Sequence, residues 1–215
     1  MQGWILIFVT SFIIALSGAL MPGPLLTVTI ADASKKGFRT GPLIVLGHGI
    51  LELALVVLIL AGLGPWIVRP VIAGIFGMAG GVVLCGFGST MIRDSQKMSP
   101  SAEHQKTNAP DAGRPVLTGI VVSLANPYWS LWWATIGMGY LAAAWKYGLA
   151  GVLVFFSGHI LADLLWYSAI SFAVSRGRSW ISTPFYQRMI LFCGLFLIFF
   201  GIWFLHFGWR SLRHL

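Results

Sequence analysis

Six long apolar runs, with nearly every charged side chain confined to the gaps between them, decide what this 215-residue sequence can become. The runs lie at roughly 4–30, 41–63, 71–92, 115–142, 148–173 and 189–209. Crossing the hydrocarbon core of a bilayer takes about 20 predominantly apolar residues. Backbone in lipid must satisfy its own hydrogen bonds, which a helix does within one segment. The expected fold is an all-α integral membrane protein with six transmembrane helices. Only 9% of residues are charged and 57% are hydrophobic, whereas an average soluble domain carries about 25% charged residues. Disorder, a collagen-like chain, a disulfide-rich secreted scaffold and an ordinary cytosolic enzyme are all excluded on those figures.

No Lys or Arg precedes the first run, so it reads as a retained span rather than a signal peptide, despite the small residues Ser17-Gly18-Ala19. The basic residues assign sides, because Lys and Arg collect in cytoplasmic loops. Connections 31–40, 93–114 and 174–188 hold ten of them, Lys97, Lys106 and Arg178 included, against Arg69, Lys146, Arg210 and Arg213 on the opposite side. Both termini are therefore expected outside. The net charge of +8 reflects this topology rather than a nucleic-acid surface.

The chain divides into two like halves. Residues 93–114 are almost devoid of apolar side chains and read as a flexible cytoplasmic linker between a first three-helix repeat, 1–92, and a second, 115–215. Gly47-His48-Gly49-Ile50-Leu51-Glu52 in the second run answers Gly158-His159-Ile160-Leu161-Ala162-Asp163 in the fifth. The first and fourth runs each carry a helix-breaking site, Met21-Pro22-Gly23-Pro24 and Ala125-Asn126-Pro127. An odd number of crossings per repeat turns the second half over in the bilayer. Inverted repeats with interrupted helices at matching positions point to a transporter whose site lies where the repeats meet.

Glu52 and Asp163 are the only formally charged residues inside the runs. An Asp at mid-span costs about 2.5–3.5 kcal/mol even on a lenient insertion scale. Each follows a histidine by four positions, so His48 with Glu52 and His159 with Asp163 share helix faces. Three readings are open: pairs that merely satisfy each other inside the bundle, sites that exchange protons or hold a substrate ammonium, and a mixed nitrogen and oxygen metal site. The proline sites offer a different resource. Pro22, Pro24 and Pro127 lack N–H groups, so the carbonyls of Gly18, Leu20 and Ser123 are expected to lose helical partners and become available to a cation. The half-helices that follow present positive ends suited to a carboxylate, and Asn126 can donate and accept. The bland alternative is that these prolines only kink their helices.

Ala73, Gly77 and Gly81 form a small-residue stripe for close helix packing, within the monomer or in a homodimer. Trp4, Trp66, Trp145, Trp180 and Trp209 lie near span ends as interfacial anchors, while Trp129, Trp132 and Trp133 follow the second break and either line a cavity or pack outward. Cys85 and Cys193 are expected to be small apolar residues, the rival being a membrane thiol–disulfide carrier. The sequence lacks the P-loop, HExxH and GxSxG motifs, and no enzyme, cofactor or resident metal is expected.

Met21-Pro22-Gly23-Pro24, the basic turn Gly37-Phe38-Arg39-Thr40-Gly41, the stretch Gly47 to Glu52 and Asn126-Pro127 together resemble the lysine-exporter (LysE-type) translocators over essentially the whole chain. The resemblance implies a bacterial or archaeal inner-membrane exporter of amino acids or related small metabolites, driven by the proton gradient, with Pro22, Gly23, Pro24, Gly47, Asn126 and Pro127 in the substrate path. His48 with Glu52 departs from the Gly-rich stretch ending in Asp that many members carry. A divalent-metal exporter using His48, Glu52, His159 and Asp163 is the alternative.

Overall fold

The computed structural model describes residues 2–21, 23–64, 69–96, 113–177 and 182–213. Pro22, Trp66, Trp180, Lys97, Lys106, Arg178 and the linker core at 97–112 lie outside the described residues. Every regular element is helical: α1 (Gln2–Ala19), α2 (Pro24–Lys36), α3 (Thr40–Leu58), α4 (Pro70–Ser95), α5 (Gly113–Leu124), α6 (Pro127–Trp132), α7 (Met138–Trp145), α8 (Gly148–Gly177) and α9 (Thr183–Arg213). Beyond α3 the segment Ile59–Leu63 is kinked at Gly62, which has a φ of 91°, and a π-helical turn, Trp133–Gly137, joins α6 to α7.

Four helical stretches are long and apolar enough to cross a membrane: Thr40–Leu63, Pro70–Arg93, Gly148–Gly177 and Thr183–Arg213. A fifth candidate is α1 with α2, which meet at a bend of 79°. The expected fourth run differs from a single span. It is divided into α5, α6, a π-helical turn and α7, because Asn126 takes an extended conformation and Pro127 starts a new helix behind it. At the expected linker, α4 continues to Ser95, and the Gln96 carbonyl accepts from the Gln187 amide of α9.

Glycines set which helices touch. In α4 and α9 they recur at heptad spacing, Gly74, Gly81 and Gly88 against Gly208, Gly201 and Gly194, in antiparallel register. A methyl added at any of the six would lie 2.6–3.3 Å from the carbonyl oxygen of the glycine opposite. The two backbones therefore pass in direct contact, as small residues allow between membrane helices. Gly77 meets the same helix at Gly208, so the two glycines of the stripe foreseen in the third run, Gly77 and Gly81, pack inside the monomer. On α9 the inward face carries Ile190, Leu197 and Phe204, while Phe192, Leu195, Phe199 and Ile202 face outward and are more than half exposed. A single stripe of large apolar side chains facing away from the bundle is what a lipid-facing helix needs. Gly37, at a φ of 88°, closes α2 by giving its N–H to the Ala33 carbonyl, a backbone state that glycine adopts without steric cost.

Gly81→Leu should lower stability by about 1–3 kcal/mol through overpacking, read as a lower melting temperature and loss of a monodisperse peak in detergent. Gly86→Ala, where an added methyl meets nothing within 4 Å, should leave both unchanged.

Candidate functional site

Two glycines deliver the two histidines to the centre. A methyl on Gly47 of α3 would overlap the Val116 carbonyl of α5, and one on Gly119 of α5 would overlap the Ile44 carbonyl of α3. On the other side, a methyl on Gly158 of α8 would overlap the Ser11 hydroxyl and crowd the Phe8 carbonyl of α1. Each close crossing sits one residue before a histidine, so His48 and His159 enter the interior from opposite flanks. The i,i+4 spacing then places Glu52 and Asp163 one turn further along the same faces. All four side chains are buried, Glu52 retaining only 1% of its full exposure.

The four groups form one cluster across the two halves. His48 Nε2 lies 3.2 Å from Glu52 Oε1 and 3.7 Å from Asp163 Oδ2. His159 Nε2 lies 2.8 Å from Glu52 Oε2 and 3.7 Å from Asp163 Oδ2. The other nitrogen of His48, Nδ1, is hydrogen-bonded to Ser123 Oγ at 2.7 Å. Two indoles complete the shell of Glu52: Trp129 Nε1 and Trp133 Nε1 donate to Oε1 at 3.0 and 2.7 Å. An indole N–H only donates, so Oε1 is held as an acceptor by two nitrogen donors, while Oε2 is bonded to His159 Nε2.

Asp163 has no such shell. Its Oδ2 is buried without a hydrogen-bond partner, since 3.7 Å is beyond hydrogen-bond reach. The two acids are equivalent by position in the sequence and unequal in their surroundings.

A partly open cavity adjoins the cluster. His48, Glu52, His159 and Asp163 line it, together with Gly23 and Pro24 from the first helix break and Asn126 from the second. Its floor and walls are aromatic, including Tyr128, Trp129, Trp132 and Tyr167. The space open to the centre of a water-sized sphere is about 70 Å³, where one water needs roughly 10–15 Å³. Several waters or the head group of a small zwitterion fit.

Gly47 does not line this cavity; its place is the crossing of α3 and α5. Pro127 occupies the first turn of α6 behind its cap Asn126, whose side-chain oxygen accepts from the Tyr128 N–H at 3.1 Å. The expectation that the breaks leave free carbonyls is corrected at two positions. Gly18 accepts from the Met21 N–H and Ser123 from the Asn126 N–H, because the chain tightens into three-residue turns at both breaks. Cys85 and Cys193 are free thiols and neither lines the cavity. Sequence reasoning passed over the Ser123 hydroxyl and Tyr167 and left the tryptophans open. The available signal was the i,i+4 spacing of Trp129 and Trp133, which puts both indoles on one helical face.

An all-helical chain with several membrane-length apolar helices around a buried polar cavity is a multi-pass membrane protein. Residues 16–208 match the family described as LysE type translocator, and the chain belongs to that family. It is also similar to a Bacillus subtilis (strain 168) protein named "Putative amino acid efflux protein YcgF", 23% identical over 210 residues that cover 97% of this chain and 98% of that one. No solved structure matches the chain.

Replacing Trp133 with Phe removes one donor from a buried carboxylate, a hydrogen bond to a charged group worth about 1.5–3 kcal/mol. The thermal stability of the detergent-solubilised protein should fall by that amount. Ser123→Ala, which removes the hydroxyl bonded to His48 Nδ1, should cost less, about 1 kcal/mol.

Proposed function

We propose that the protein exports amino acids or related small metabolites across the bacterial or archaeal plasma membrane, exchanging protons at the cluster of His48, Glu52, His159 and Asp163. The observation that carries this reading is convergence: both helix breaks and both His/acid pairs, more than a hundred residues apart in the chain, border one cavity. The first turn of α2, which no side chain caps, offers its positive end to a substrate carboxylate. The buried acids receive either a proton or the substrate ammonium, so occupation by one excludes the other. That exclusion is what couples two fluxes through a shared site. The name of the Bacillus subtilis relative points to the same cargo.

The architecture behind it is six spans as two inverted three-helix repeats, 1–92 and 115–215, with both termini outside and with α5, α6 and α7 as the broken fourth span. Three features support this. The second span leans on the fourth through Gly47, the fifth leans on the first through Gly158, and the third pairs with the sixth through matched glycines. A twofold relation between repeats generates such exchanged contacts.

A second reading, divalent-metal export, has one observation in its favour: ligand atoms of His48, Glu52 and Asp163 lie within 4.8 Å of one another. The indole donors oppose it, since a metal at Glu52 Oε1 would compete with two N–H groups that already bond that oxygen. Metal analysis of the purified protein separates the two readings.

In reconstituted vesicles, export should collapse when an uncoupler removes the proton gradient. Glu52→Gln should reduce the initial rate at least tenfold with the fold intact. Normal export by that variant, or gradient-independent export by the wild type, overturns the proton-coupled reading.

A further inference from the structure

The unequal surroundings of the two acids constrain which cargo the cavity takes. On Glu52, Oε1 accepts from Trp129 and Trp133 with His48 at 3.2 Å, and Oε2 is bonded to His159. Both oxygens are therefore already engaged by nitrogen partners. Asp163 Oδ2 is buried and unpartnered, and the residue, only 4% exposed, lines the cavity. A buried carboxylate oxygen without a donor is expensive, and a ligand ammonium supplies the missing bond.

The other buried atom without a partner on this lining, His159 Nδ1, belongs to an imidazole and carries no negative charge. The remaining acid is Glu52, already engaged on both oxygens, and the lining also includes Leu25, Phe200 and Tyr167. The uncapped start of α2, with Gly23 and Pro24 at the wall, provides the complementary place for a carboxylate.

We propose that the cavity selects zwitterions carrying a single cationic group, the neutral amino acids with apolar side chains, by binding their ammonium at Asp163, and that it rejects lysine and arginine, whose second cation finds no vacant acid. The inference rests on the exporter reading and narrows it. One ammonium finds one open carboxylate; the apolar side chain lies against the aromatic wall. A second positive charge would enter a low-dielectric space without a counterion, which is unfavourable. Asp163 is thus the acid that receives the substrate ammonium, and Glu52, bonded among the histidines and indoles, takes part through the proton.

The test uses the full chain in proteoliposomes loaded with labelled leucine, lysine or arginine under an imposed proton gradient. Leucine should leave at least tenfold faster than either basic amino acid. In competition, 4-methylpentanoate, which is leucine without its ammonium, should inhibit leucine efflux at least tenfold more weakly than unlabelled leucine does. Both comparisons use the wild-type protein, so neither depends on a variant that folds. Asp163→Asn should abolish leucine efflux, and Asp163→Glu should recover part of it. Lysine or arginine leaving as fast as leucine overturns the single-cation proposal while the exporter reading stands, and equal inhibition by 4-methylpentanoate overturns the role of Asp163. If no labelled amino acid moves, the exporter reading falls and this inference with it.

Discussion

Carboxylates and imidazoles withdrawn from water into a helical bundle must find partners within reach, and that requirement organises the centre of this protein. The isolated cost of burying an ionised carboxylate is far larger than the total stability of a domain. Glu52 meets it with indole and imidazole nitrogens drawn from three separate parts of the chain. Those partners tie α3, α6 with its π-helical turn, and α8 to one point. The wide turn at Trp133–Gly137 begins at one of the donors, Trp133, which is itself almost wholly enclosed. Disturbing any of the three segments therefore disturbs the same carboxylate.

Close approach of backbones makes this concentration possible. Leucines at 47 and 158 would hold their helices farther from their neighbours, and the histidines would no longer meet across the interior. Small residues thus act at a distance from the chemistry: they place it without touching it. The aromatic rings around His159, with Trp132, Trp133 and Phe155 at centroid separations of 5.0, 5.5 and 6.0 Å, then enclose that imidazole on several sides.

Much of this was legible beforehand. The apolar runs located the long helices, with Thr40–Leu63 and Gly148–Gly177 starting within a residue of expectation, because a span's length is dictated by the bilayer. The His/acid pairs and the break residues Gly23, Pro24 and Asn126 were recognisable as rare chemistry in apolar surroundings, and they do adjoin one cavity. What could not be read was partner choice across helices. Helical spacing pairs His159 with Asp163, yet its short contact is to Glu52 on another helix. Nor does spacing reveal that Gly47 faces Val116 rather than the cavity. The expected free carbonyls failed for a local reason: a chain released from α-helical bonding before a proline closes a tighter turn instead of leaving the oxygen bare.

The matched glycines of α4 and α9 bear on mechanics. Interlocking backbones at Gly74/Gly208, Gly81/Gly201 and Gly88/Gly194 admit axial sliding only in steps that bring glycine opposite glycine again, and a heptad corresponds to roughly 10.5 Å of rise. Smaller slips drive bulky side chains into the seam. This pair is consequently a stiff strut, and whatever shape change opens the cavity to either side must be accommodated by hinging elsewhere, where the first and fourth runs are already severed.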